Sequence, residues 1–108
     1  MTILPISQFE PRLPKLLRML RRLVELESPT TDKRSIDILG EFAAEQMRRL
    51  GATVTRYPQD SAGDHWLAEW GRGPGGILLL IHLDTVYPLG TLNHWRYEQD
   101  ETVARGPG

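Results

Sequence analysis

The chain has 108 residues, no cysteine, and 13 basic against 14 acidic side chains, which gives a net charge of −1. This length suits one small domain, and the balanced charge argues against a nucleic-acid or anionic-membrane partner. Without cysteine there is neither a disulfide framework nor a thiolate metal site. Because no secretory signal or membrane-spanning apolar run is visible, we expect a cytoplasmic protein.

Two amphipathic helices are predicted in the first half of the chain. Apolar residues recur at helical spacing over residues 13–24, and the basic side chains of that segment, interpreted as a solvated face, fall largely on the opposite side. Pro14 suits a first helical turn, and Pro29 ends the helix. A second helix is predicted to begin near Asp32, whose side chain can cap free N–H groups, and to end at Gly51.

Short strands are predicted in the second half. The alternating pattern of side chains over residues 53–57 predicts the first strand, and residues 65–70 are predicted to form the second. The glycine-rich residues 71–76 are interpreted as a tight turn, because a phosphate-binding loop needs a following helix. The apolar residues 77–81 predict a buried third strand, and residues 101–104 a short fourth. The predicted fold class is α/β, with two N-terminal helices packed on a small mixed sheet.

His82 and Asp84 follow the apolar run of residues 77–81 and are the candidate functional residues. Ligands bind at the carboxyl ends of strands in open α/β sheets, and residues i and i+2 of an extended chain share a side. Imidazole is the commonest metal ligand, and a nearby carboxylate can bind metal or orient the ring. A structural, hydrogen-bonded histidine is the alternative. His65 and His94 could join His82 in a metal site, but the spacing of the three histidines fits no common zinc pattern.

The string ILLLIHLDTVYPLGT, residues 77–91, resembles the first metal-site motif of the zinc-dependent carboxypeptidase and deacylase family, metallopeptidase family twenty. This family includes glutamate carboxypeptidase, acetylornithine deacetylase and aminoacylase. The continuation Thr-Val-aromatic-Pro-x-Gly-Thr resembles the glutamate carboxypeptidase branch in particular. Similarity extends from about residue 16 to the last residue, and residues 104–108 resemble the start of the second metal motif of the family.

The resemblance implies a two-zinc amide hydrolase that acts on a small acyl-amino acid or peptide. His82 matches a zinc ligand, and Asp84 matches the catalytic-site carboxylate that orients or tunes that histidine. The bridging carboxylate, the general base and the remaining ligands of the family have no counterpart in this sequence. We therefore expect residues 1–108 to be the N-terminal portion of a larger zinc-exopeptidase-like catalytic domain, without an internal boundary. The isolated chain is predicted to be inactive and to hold zinc weakly.

Two other interpretations are kept beside this one. The chain could be a naturally short, non-catalytic interaction module that acts through an exposed sheet edge. It could also be one half of a split enzyme that a partner chain completes. A structure that contains only these residues would leave the strand at residues 77–81 incompletely covered and open to pairing with another copy, so we expect a homo-oligomer.

Overall fold

The computed structural model describes residues 2–108, with two α-helices and two short β-hairpins as its main elements. The helices are α1 (Leu13–Glu25) and α2 (Lys33–Arg49). The strands are β1 (Thr53–Tyr57), β2 (His65–Glu69), β3 (Glu98–Gln99) and β4 (Ala104–Arg105). Single 3-10 turns lie at Ile6–Gln8, Glu10–Arg12 and Thr91–Asn93. Within residues 2–108, neither helix has the length and apolar character needed to cross a bilayer.

The ends of α2 are set by local chemistry, as the sequence predicts. The carboxylate of Asp32 accepts a hydrogen bond of 2.8 Å from the backbone N–H of Ser35, one of the free donors of the first helical turn. Gly51 adopts a left-handed φ of 88° after the last turn, a conformation that costs glycine little. The predicted position of Pro14 in the first turn of α1 is also confirmed.

Helix α2 packs against the β1–β2 hairpin and forms most of the small core. Ile36, Leu39 and Ala44 are buried on the inner face of α2. The two strands pair antiparallel, from Thr53 opposite Glu69 to Tyr57 opposite His65. The second hairpin is also antiparallel. The predicted α/β fold class is confirmed.

Asp64, immediately before β2, joins the β1–β2 hairpin to α2 through a buried carboxylate. It accepts hydrogen bonds of 2.6 Å from Lys33 Nζ on α2 and 2.6 Å from Arg56 Nε on β1. The backbone N–H of Gln59 donates to the same carboxylate at 2.8 Å. Asp37 closes the network, because it accepts the backbone N–H of Asp64 and pairs with Lys33. Two cations thus neutralise the buried charge while they connect three elements.

The prediction of a buried strand at residues 77–81 is wrong for this structure. The run forms no strand, and its five side chains are 74–92% exposed. A strand buried on both faces needs neighbours on both edges and layers above and below it. Within residues 2–108, β1 and β2 pair only with each other, so neither supplies a neighbour for this run.

Two further expectations are corrected in the same way. The predicted inner face of α1 is only partly covered, with Leu13, Leu16 and Leu20 between 43% and 53% exposed. The predicted strand at residues 101–104 is instead mostly the turn between β3 and β4. Asp100 sets this turn, because its carboxylate accepts the backbone N–H groups of residues 102 and 103, which lowers the pKa of Asp100 to about 2.

Gly40→Ala should destabilise the protein, although alanine is the better helix former. A Cβ at position 40 would overlap Nε1 of Trp66, so the indole ring or α2 has to shift. Overpacking of this kind typically costs about 1–3 kcal/mol, more than the gain of about 1 kcal/mol from helix propensity. Urea unfolding followed by circular dichroism measures the change. In a Trp66→Leu background the same substitution should cost less; an equal cost would contradict the steric explanation.

The stability of the fold should fall in acid because of Asp64. Its hydrogen bonds, first from Lys33 and then from Gln59 and Arg56, hold the pKa of Asp64 far below the ordinary 3.8. A group whose folded pKa is lowered stabilises the fold above the unfolded pKa, and this contribution is lost as the pH falls below 3.8.

Urea unfolding of the wild type and of Asp64→Asn at about pH 6 and about pH 3 tests this linkage. The variant should be clearly less stable at the higher pH, and the difference should shrink at the lower pH. Asp60→Asn, an exposed carboxylate in the same loop, is the control and should follow the wild type at both values. A difference for Asp64→Asn that does not change with pH would contradict the linkage.

Candidate functional site

A short parallel contact between two loops holds the candidate site together. Residues 28–30, which follow α1, pair with residues 83–85, which follow the exposed run; we call this contact the clasp. Thr30 N donates to the carbonyl of Thr85 at 2.9 Å, and Thr85 N donates to the carbonyl of Ser28 at 2.8 Å. The Ser28 hydroxyl, 3% exposed, adds a third bond of 2.9 Å to the carbonyl of Leu83. The chain before and after Asp84 is therefore fixed.

The ring of His82 is oriented by its own chain. Nδ1 lies 2.9 Å from the main-chain carbonyl oxygen of Asp84 and 3.4 Å from the carboxylate oxygen Oδ1. A carbonyl oxygen can only accept, so Nδ1 carries the proton and donates. In the neutral imidazole, the lone pair is then on Nε2, the nitrogen through which such a histidine binds a metal. Within residues 2–108, no hydrogen bond occupies Nε2, and the side chain is exposed.

Asp84 contacts both His82 and the other side of the clasp. The Thr30 hydroxyl donates to Oδ2 of Asp84 at 2.6 Å, a short bond of the kind expected when the acceptor is ionised. This bond is the main cause that lowers the pKa of Asp84; partial burial opposes it, and the nearby His82 adds a smaller lowering. The carboxylate is therefore held ionised, with one oxygen towards Thr30 and the other towards the ring of His82.

Glu27 fixes the loop that follows the site. Its two carboxylate oxygens accept the backbone N–H groups of Gly90 and Leu92, each at 3.0 Å, across 63 and 65 residues of sequence. These bonds, with Gly90 first, lower the pKa of Glu27. Gly90 has a left-handed φ of 90°, a conformation that favours glycine at this point of the loop. The role of Glu27 could not be predicted from the sequence, because no local pattern distinguishes it from another acidic residue near the end of a helix.

The histidine and the carboxylate line a partly apolar cavity of about 270 Å³. Leu23 of α1 and Leu39 of α2 form part of the apolar wall of this cavity. Tyr87, close in sequence to the loop that Glu27 holds, also lines it. Tyr87 in turn packs edge-on against Trp95, with ring centroids 5.5 Å apart. The site therefore combines a few polar groups with an apolar surface, the usual composition of a small-molecule site.

The side chains at this site can supply one metal ligand, but they do not complete a metal site. Within residues 2–108, no three histidine, cysteine, aspartate or glutamate side chains come together closely enough to hold an ion. His65 lies on β2 and His94 follows the last 3-10 turn, and neither forms such a cluster with His82. A catalytic zinc takes about three protein ligands, so any metal held by His82 needs donors from elsewhere.

The chain is similar in sequence to a carboxypeptidase. No family model matches the chain. The chain is 35% identical over 98 residues to Carboxypeptidase G2 of Pseudomonas sp. (strain RS-16), an alignment that covers 88% of this chain and 24% of that protein. The chain thus spans about a quarter of the length of its relative. This similarity supports the predicted relation to the carboxypeptidases.

Glu27→Gln should loosen the loop at residues 90–92 without unfolding the protein. The amide has one acceptor oxygen instead of two, so one of the N–H groups of Gly90 and Leu92 loses its partner. Hydrogen bonds to charged groups contribute about 1.5 kcal/mol or more, so exchange of that amide should be about tenfold faster. Hydrogen exchange by NMR measures it. Glu25→Gln, which removes only the exposed pair with Arg21, is the control; equal protection in both variants would contradict the assignment.

Proposed function

We propose that this chain contributes the first metal ligand of a zinc-dependent amide hydrolase of the carboxypeptidase or N-acyl-amino-acid deacylase type. The observation that carries the proposal is the orientation of His82, whose Nδ1 donates to Asp84 and whose Nε2 is left free to bind a metal. The similarity to Carboxypeptidase G2 supports the reaction class. The resemblance of residues 77–91 to the first metal motif of that family supports zinc as the metal.

The residues of the chain have distinct parts in this proposal. His82 would hold the metal through Nε2. The main-chain carbonyl of Asp84 keeps the ring in the required tautomer, and the carboxylate of Asp84, 3.4 Å from Nδ1, raises the basicity of the ring. Thr30 holds the carboxylate of Asp84 in place through the 2.6 Å bond. A zinc ion held there would supply Lewis-acid chemistry: polarisation of the scissile carbonyl and a lowered pKa of water. The substrate is a small acylated amino acid or a peptide, which the apolar walls of the cavity suit.

The isolated chain should neither hydrolyse an amide nor bind zinc tightly. Its described residues offer a single imidazole and one nearby carboxylate, fewer than the three protein ligands typical of a catalytic zinc. Isothermal titration with zinc and an assay on N-acyl amino acids and dipeptides test both statements. Metal-dependent hydrolysis by the purified 108-residue chain, lost in His82→Ala, would contradict the prediction.

Complementation tests the proposed role of His82 directly. The chain is mixed with the part of Carboxypeptidase G2 that lies outside the alignment, and zinc-dependent hydrolysis is measured. We expect activity that is lost in His82→Ala. Asp84→Asn keeps the main-chain carbonyl that orients the ring and removes only the charge beside Nδ1, so it should reduce the activity by about 10-fold, the low end of the usual effect of changing a partner of a metal ligand. His94→Ala, an exposed histidine outside the pair, should leave it unchanged. Reconstituted activity that survives His82→Ala would refute the metal-ligand role.

The intact mass of the protein in its natural host distinguishes the three interpretations of the chain. A species several times heavier than 12.3 kDa would support an enzyme of which this chain is one part. A product of 12.3 kDa that co-purifies with a second chain carrying the missing ligands would support the split enzyme. A product of that mass without such a partner would favour the interaction module.

A further inference from the structure

The β3–β4 hairpin packs on α1 through the residues at its two ends. Tyr97, which directly precedes β3, is only 8% exposed, and the guanidinium carbon of Arg21 lies 5.9 Å from the centroid of its ring. Gly106, which directly follows β4, lies against Val24 of the same helix. Arg21 and Val24 are three residues apart, so they are neighbours on one face of α1. The hairpin is therefore docked on a single stripe of this helix.

The contact at Gly106 leaves no room for a side chain. A Cβ built at this position would lie 3.0 Å from Cγ1 of Val24 and 3.5 Å from Cα of Tyr97. Carbon atoms in contact are usually about 3.5–4.0 Å apart, so the first of these distances is too short. Val24 is β-branched and has one strongly preferred rotamer in a helix, so it cannot easily turn away. The φ of Gly106 is not positive, so glycine is needed here for space rather than for its conformational freedom.

The segment after Gly106 runs past the end of α1 to the clasp. Pro107 is buried, and both Pro107 and Gly108 line the cavity that contains the candidate metal ligand. A Cβ built at Gly108 would lie 3.7 Å from the methyl carbon of Thr85, which is an ordinary van der Waals contact with the clasp. The position of this part of the cavity wall therefore depends on how closely the chain approaches α1 at Gly106.

We propose that Gly106 is a positioning residue for the candidate site. Because it has no side chain, β4 ends directly on α1, and the two residues that follow form the wall of the cavity beside the clasp. A larger residue would move this wall away from Val24 and from Thr85. The role of Gly106 in the reaction rests on the function proposed above, but its close approach to α1 does not, so the two are tested separately.

Nuclear Overhauser effects (NOEs) in the full chain measure where this wall lies. The wild type should show an NOE between the methyl group of Thr85 and the Hα proton of Gly108 that points where a Cβ would. This NOE should weaken in Gly106→Ala and be lost in Gly106→Val. Val24→Ala removes the methyl groups that the new side chain would meet, so the double variant Gly106→Ala/Val24→Ala should regain the NOE. Val24→Ala alone is the control and should keep it.

The same spectra distinguish positioning from a purely structural role. NOEs between Pro29 and Thr85, which pair across the clasp, show whether each variant keeps its fold. A residue that only stabilises the protein would lower the free energy of unfolding when replaced, but the folded molecules would keep the NOE between Thr85 and Gly108. An unchanged NOE in Gly106→Val, or in Gly106→Ala should the valine variant fail to fold, would overturn the proposal. The absence of this NOE in the wild type would do so as well.

Reconstitution with the remaining part of Carboxypeptidase G2 connects the wall to the reaction. Misplacement of a group by about 1 Å can cost about 100-fold in rate, so Gly106→Val should lower the zinc-dependent kcat by up to about 100-fold. Full activity in a variant that has lost the NOE between Thr85 and Gly108 would overturn the positioning role. A wild-type mixture without activity would contradict the function proposed above, while the NOE would still support the placement of the wall by Gly106.

Discussion

The candidate site depends on the clasp between residues 28–30 and 83–85. Three hydrogen bonds of 2.8–2.9 Å fix the backbone on both sides of Asp84, so the carbonyl that accepts from His82 has a defined position. The same clasp brings Thr30 to the carboxylate of Asp84. The tautomer of His82, the charge of Asp84 and the position of both along the cavity wall therefore follow from one contact between two loops.

Features governed by neighbouring residues could be predicted from the sequence. The cap at Asp32, the left-handed Gly51 and the β1–β2 hairpin are decided within a few positions of chain, and the structure has all three. The pairing of His82 with Asp84 is similarly local, because two residues separate them. The resemblance of residues 77–91 to a metal motif added the reaction class, which no periodicity could have supplied.

Features governed by distant residues could not be predicted. Glu27 meets its donors across more than 60 residues, and Thr30 meets Asp84 across 54, so neither contact leaves a local pattern. The run at residues 77–81 shows the converse problem. Its composition is that of a buried strand, but composition does not specify what covers a strand, and the described residues provide no cover.

The position of the clasp along the chain determines when its contacts can form during translation. The hydroxyl of Ser28 and the carbonyl of Leu83 that it contacts are 55 residues apart, and both are translated before the β3–β4 region. At about 5–20 residues per second, a ribosome needs roughly 3–11 seconds to make this interval. The contacts that orient the histidine ring therefore need no residue beyond Thr85. The ring of His82 can be oriented on the growing chain, before the β3–β4 region is made.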